Sequence, residues 1–142
     1  MLVADTNLIA YLLIPGEHMQ EARQVRQKDA MWHSPPLWRS EFLSILALAV
    51  RLGQLSLDAA VSAAGKAFDA AIVSEKEPAP GNVLRIASEG PCSAYDAQFV
   101  ALAMELDVPL VTSDKKLIRV FPNTATHPSD FVATHRDGES RD

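Results

Sequence analysis

Four short, mostly apolar runs are spread along this chain: Leu2-Val3-Ala4, Ala30-Met31-Trp32-His33, Pro109-Leu110-Val111-Thr112 and Thr124-Ala125-Thr126. Each has the length of a strand buried on both faces. Helical segments stand between them, predicted over residues 8–13, 17–28, 36–52, 57–73, 82–88, 94–106 and 114–120. Pro36 suits a helix start and Gly53 a helix stop, while Ser56 and Ser93 suit N-caps. Strands joined through helices are parallel and covered on their faces. The expected fold is therefore α/β and three-layered, with a central parallel β-sheet of four to five short strands flanked by helices. One domain is expected over residues 1–133, followed by a polar, mobile tail over residues 134–142.

Composition fits a packed domain. Of 142 residues, 48% are hydrophobic and 22% charged, which argues against disorder. The 13 basic and 18 acidic residues leave a net charge of −5, which excludes holding nucleic acid by bulk positive charge alone. A single cysteine, Cys92, excludes an internal disulfide and a cysteine-built zinc site. Met1-Leu2-Val3-Ala4-Asp5 has no basic stretch before an apolar run, so no signal peptide is expected. The most apolar stretch, residues 42–50, falls far short of the ~20 residues that span a bilayer. A cytoplasmic protein with no membrane partner is expected.

Four carboxylates stand out: Asp5, Glu41, Asp96 and Asp114. Taken singly, Asp5 and Asp114 read as helix N-caps, and Ser93-x-x-Asp96 reads as a capping box. Glu41 lies inside a helix and caps nothing. It shares one side with Trp38, Ile45, Leu48 and Leu52, and so interrupts an apolar stripe. A carboxylate there is paired, for example with Arg39 or Arg51, or rotated slightly into solvent, or it holds a metal. The joint position of the four is more informative. Asp5 and Asp114 follow strands, and Asp96 and Glu41 sit early in their helices, so all four are predicted at the carboxyl edge of the sheet. Ligands of open α/β sheets bind at that edge. Oxygen donors without cysteine or regular histidine spacing suit Mg²⁺ or Mn²⁺. Such a site fits hydrolysis of a nucleic-acid backbone.

Asp5-Thr6-Asn7 after the first strand, Ser40-Glu41-Phe42, Tyr95-Asp96-Ala97 with Phe99-Val100-Ala101-Leu102-Ala103, and Leu110-Val111-Thr112-Ser113-Asp114 together resemble the PIN-domain ribonucleases. The VapC-type toxins of bacterial toxin–antitoxin pairs are the most similar group, over nearly the whole chain. The resemblance implies a PIN-like fold and a Mg²⁺- or Mn²⁺-dependent endoribonuclease. It implies metal binding by Asp5 and Asp96, with Glu41 and Asp114 completing the cluster directly or through water. Asn7 and Thr112 match the supporting polar positions. A homodimer and a small cognate antitoxin are also implied. Many members carry a further acid shortly after the fourth; here Lys115, Lys116 and Leu117 follow Asp114, which leaves one or two ions open.

If the substrate is RNA, Arg39, Lys115, Lys116 and Arg119 are the candidate phosphate contacts. Trp32 and Trp38 read as core. The Ala-rich pair of helices over residues 36–52 and 57–73 matches the arm that the antitoxin grips in the resembled family. Rival readings are a non-toxin RNA-processing nuclease of the same fold, a catalytically weak interaction module, and a phosphoacceptor signalling domain, which Glu41 fits poorly.

Overall fold

The computed structural model describes residues 1–139, with side chains described through Thr134. The elements run β1 (Leu2–Ala4), α1 (Thr6–Leu13), α2 (Met19–Lys28), β2 (Trp32–Ser34), α3 (Trp38–Arg51), α4 (Leu57–Asp69) and β3 (Ser74–Glu75). They continue with α5 (Pro80–Glu89), α6 (Ala94–Leu106), β4 (Leu110–Val111), α7 (Lys115–Val120), β5 (Ala125–Thr126) and α8 (Pro128–Glu139). The strands form one sheet in the order β3-β2-β1-β4-β5. Every pairing is parallel, with Val3 opposite both His33 and Leu110. The fold class expected from the alternation of strands and helices is the one observed.

Strand order reverses at β1. The chain moves outward through β2 and β3, then returns to place β4 on the other flank of β1. Leu2, Val3, Ala4, Leu110 and Val111 are fully buried, as a sheet covered on both faces requires. The helix α6 packs on β1, and Phe99, Val100, Ala101, Leu102 and Ala103 are buried around it. Such all-round burial marks an internal helix. Gly53 adopts φ +72° just past α3, the left-handed conformation that ends a helix at low cost in glycine.

Three departures from the sequence reading have local causes. The strand β3 was not expected: it is two exposed residues that pair with His33 and Ser34. No helix was expected at α8, which continues through the start of the expected tail as far as Glu139; residues 140–142 of that tail lie outside the described residues. The buried stripe of α3 is Trp38, Phe42 and Leu46, rather than Trp38, Glu41, Ile45, Leu48 and Leu52. Leu48 and Leu52 are 49% and 61% exposed, and Glu41 lies at the border of the buried face. The aromatic rings decide this rotation. Trp38, Phe42 and Phe68 of α4 cluster with ring centroids 5.4–6.3 Å apart and fix α3 against α4. No helix among the described residues is long and apolar enough to cross a membrane.

The rotated stripe orders two substitutions. Phe42→Ala is expected to cost ~3–5 kcal/mol in urea unfolding, and Leu48→Ala under ~0.5 kcal/mol. Equal costs would contradict the observed facing of α3.

Candidate active site

Asp5 leaves the buried end of β1 and caps α1, its Oδ1 accepting the Thr6 N–H at 2.8 Å. Its Oδ2 accepts the Thr112 hydroxyl at 2.6 Å and the Asn7 amide at 3.4 Å. Thr112 follows β4, so this bond links the ends of the two strands at the reversal point. The Thr112 hydroxyl also accepts the Asp114 N–H at 3.0 Å. Asp114 in turn caps α7, accepting the N–H groups of Lys116 at 2.9 Å and Leu117 at 3.2 Å. Glu41 stands in the first turn of α3 and accepts the Thr6 hydroxyl at 2.8 Å. Asp96 stands in the first turn of α6, which Ser93 caps by accepting the Asp96 N–H at 3.1 Å. The Asp5 and Asp114 caps, the Ser93 half of the capping box and the convergence are thus observed. Asp5, Glu41, Asp96 and Asp114 line one cleft of about 420 Å³, together with Thr6, Asn7, Ser44 and Ile45.

One feature of this cleft fits a cation. Asn7 lines the cleft, and its Oδ1 is buried and accepts no hydrogen bond, which is so of no other buried side-chain nitrogen or oxygen among the described residues. An orphaned acceptor on a residue that lines a carboxylate cleft is one that a cation or a water can satisfy. Among the described residues no three His, Cys, Asp or Glu side chains stand close enough to enclose an ion unaided.

The family model of the PIN domain matches residues 2–121. The chain belongs to the PIN-domain family. PIN domains are in general metal-dependent nucleases, which puts the chain among the hydrolases and makes a divalent ion the family's cofactor. Among solved structures, that of PAE2754 from Pyrobaculum aerophilum is similar, with a TM-score of 0.72 over 96% of each chain at 22% identity. That likeness supports the fold. No curated protein sequence matches the chain.

The electrostatics of this PIN domain follow from its packing. Burial pushes the Asp5 carboxyl up to about 6; Glu41 and Asp96 add to the rise, while the Thr112 hydroxyl and the Thr6 N–H oppose it. Burial also raises Glu41, against the Thr6 hydroxyl and with help from Asp96. Asp96 is raised by burial and then by Asp114, and is lowered by Lys116 and Ser93. The acids therefore repel one another in a chain through the cleft.

Other expected residues separate. Lys116 lies near Asp96, and Lys115 and Arg119 are exposed on α7. Arg39 is not brought to the cleft. Two residues apart on a helix, Arg39 and Glu41 face opposite ways. The Arg39 guanidinium pairs with Glu75 and lies 4.9 Å from the centre of the Phe68 ring. Trp32 and Trp38 are buried, as expected. Thr6 was missed. The hydroxyl that fixes Glu41 sits 35 residues earlier in the chain, and its only local signal was its place between Asp5 and Asn7.

The Asp5 shift has a sign in stability. The folded chain holds this proton more tightly than the unfolded chain, so its contribution is full below pH ~4 and is lost as pH rises from ~4 to ~6. Asp5→Asn removes the buried charge; its one amide oxygen keeps the Thr112 hydroxyl at the expense of the Thr6 N–H cap, which offsets part of the gain by about 1 kcal/mol. The metal-free variant is expected to be more stable than wild type at neutral pH, by up to about 3 kcal/mol less that offset. Added Mg²⁺ should raise the melting temperature of the wild type more than that of the variant. A metal-free variant melting below wild type would contradict the electrostatic origin of the shift.

Proposed function

We propose that this PIN domain is a Mg²⁺- or Mn²⁺-dependent endoribonuclease, the toxin of a type II toxin–antitoxin pair, active as a homodimer and restrained by a small antitoxin protein. The observation that carries the nuclease reading is the gathering of Asp5, Glu41, Asp96 and Asp114 in one cleft that Asn7, with its unpartnered oxygen, also lines. Asp5, Asp96 and Asn7 Oδ1 would hold the ion, with Glu41 and Asp114 acting directly or through water. When bound, the ion supplies positive charge that orients the phosphodiester and stabilises charge developing on it.

The chain's own residues prepare the site. Thr112 and Thr6 hold Asp5 and Glu41 in fixed orientations, so little side-chain motion remains to be frozen when substrate arrives. Lys116 beside Asp96, with Lys115 and Arg119 on the same helix, offers positive charge to flanking phosphates.

Support for a protein partner comes from the α3–α4 arm. An apolar groove of about 390 Å³ runs between these helices, lined by Leu43, Leu46, Val50, Leu57 and Val61 among others. Leu57 and Val61 are 65% and 63% exposed. Contiguous exposed apolar surface of this kind marks interaction sites.

Purified wild type is expected to cut single-stranded RNA with Mg²⁺ or Mn²⁺ and to lose activity with a chelator. Asp5→Asn and Asp96→Asn should each lower the rate by at least ~100-fold with an unchanged circular dichroism spectrum. Full activity in both variants would overturn the nuclease assignment. The toxin reading has its own test. Expression of wild type, but not of Asp5→Asn, should arrest bacterial growth, and co-expression of a small protein encoded next to the gene should relieve the arrest. RNA cleavage without arrest would favour a processing nuclease.

A further inference from the structure

We propose that the cavity between α1 and α3 is a nucleobase subsite, holding the unpaired base of a nucleotide adjoining the phosphodiester at the acidic cleft. This inference rests on the ribonuclease reading and adds to it the feature that selects where RNA is cut.

The cavity measures about 510 Å³, and Tyr11, Ile14, His18, Ile45, Leu48 and Leu52 are among its walls. Three observations point to a base. The first is continuity: Ile45 lines both this cavity and the acidic cleft. Ile45 lies one turn beyond Glu41, about 6 Å along the helix. A base attached through its sugar to a phosphate at the acids reaches this cavity without a second docking event. The second is an aromatic surface. The Tyr11 and His18 rings stack with centroids 4.4 Å apart at a 30° tilt. Unpaired RNA bases are recognised by stacking on such rings. The third is rigidity. The Tyr11 hydroxyl is hydrogen-bonded to the Ser113 hydroxyl at 3.3 Å, immediately before Asp114. The ring is thereby fixed to the loop that carries a cleft carboxylate, so a stacked base would be in register with the acids.

The composition of the walls agrees. Ile14, Ile45, Leu48 and Leu52 offer apolar contact to ring faces, and the Gln54 amide at the border can donate to and accept from a base edge. Leu48 and Leu52 are exposed although large and apolar. The buried face of α3 accounts for neither of them, and a base seated here would cover both.

The test uses the full chain and short RNA substrates in which each nucleotide flanking the cut is made abasic in turn. For wild type, the abasic change at one flanking position is expected to lower kcat/KM about tenfold. Leu48→Trp fills the cavity from an exposed position outside the acidic cleft, so it should fold and still cut. It is expected to treat intact and abasic substrates alike. His18→Ala, which removes half of the stack, should shrink the ratio in the same direction. A wild type that cuts both substrates equally, or a Leu48→Trp protein that keeps the wild-type ratio, overturns the subsite and leaves the nuclease standing. If wild type cuts no RNA, the nuclease reading itself has failed. The cavity is then judged by NMR titration with AMP and UMP. Shifts confined to the Tyr11, His18 and Leu48 region support a base site. Shifts there with a short apolar peptide and none with the nucleotides overturn it in favour of a protein ligand.

Discussion

The Thr112–Asp5 hydrogen bond joins the ends of the two strands at which the sheet reverses. Strands of two and three residues place little side chain in the core by themselves. The central strands β1 and β4 persist because they are covered on both faces and because their ends are tied. On one flank of β1, the Ser34 hydroxyl donates to the Ala4 carbonyl at 2.6 Å. On the other, Thr112 donates to Asp5 and accepts from Asp114. The same hydroxyls that finish the strands thus fix the positions of the carboxylates that follow them.

This arrangement removes the opposition between capping and function. A helix N-terminus has unsatisfied N–H groups and a partial positive charge, so a carboxylate is favoured there on local grounds. Asp5 and Asp114 are caps, and Asp96 stands in a capped first turn. A parallel sheet brings such helix starts to one edge, and caps that would be scattered in another topology become neighbours. Burial, and after it their mutual repulsion, then raises Asp5, Glu41 and Asp96 together. Local capping stabilises Asp5 and Asp114 where they stand, while the group as a whole is left in need of positive charge.

The legible parts of the chain were those whose causes are local. The burial of residues 2–4 and 110–111, the Ser56 and Ser93 caps and the whole span of α6 follow from apolar runs and neighbouring cap residues. The edge shared by four acids followed from topology alone. What escaped the sequence depends on distant partners. The strand β3 is polar and two residues long; it exists through pairing with β2 and through Glu75, which accepts from the Trp38 indole at 3.2 Å and pairs with Arg39. That one acid takes Arg39 away from the cleft. The facing of α3 is set by Phe68, which no periodicity within residues 36–52 can reveal. Thr6 acquires its role only when Glu41 is folded against it.

Charge is distributed accordingly. The chain carries −5, but with the four cleft acids set apart, 13 basic residues face 14 acidic ones, and the rest of the molecule is near neutral. Some of the basic groups are already engaged. Arg26 donates to the Ile72 carbonyl at 2.9 Å and lies over Trp32, and Arg39 is held by Glu75. Positive charge beside the cleft comes from α7, which begins at Asp114 and whose Lys116 lies near Asp96. A phosphate approaching past α7 meets carboxylates next, and the α1–α3 cavity opens beyond them at Ile45. Attraction from three side chains does not overcome four acids at shorter range, where Coulomb energies are larger and less screened. On the proposed nuclease reading, neutralisation of the acids and seating of a phosphate are then coupled, so that affinity for the substrate at this site rises and falls with occupancy by a divalent ion.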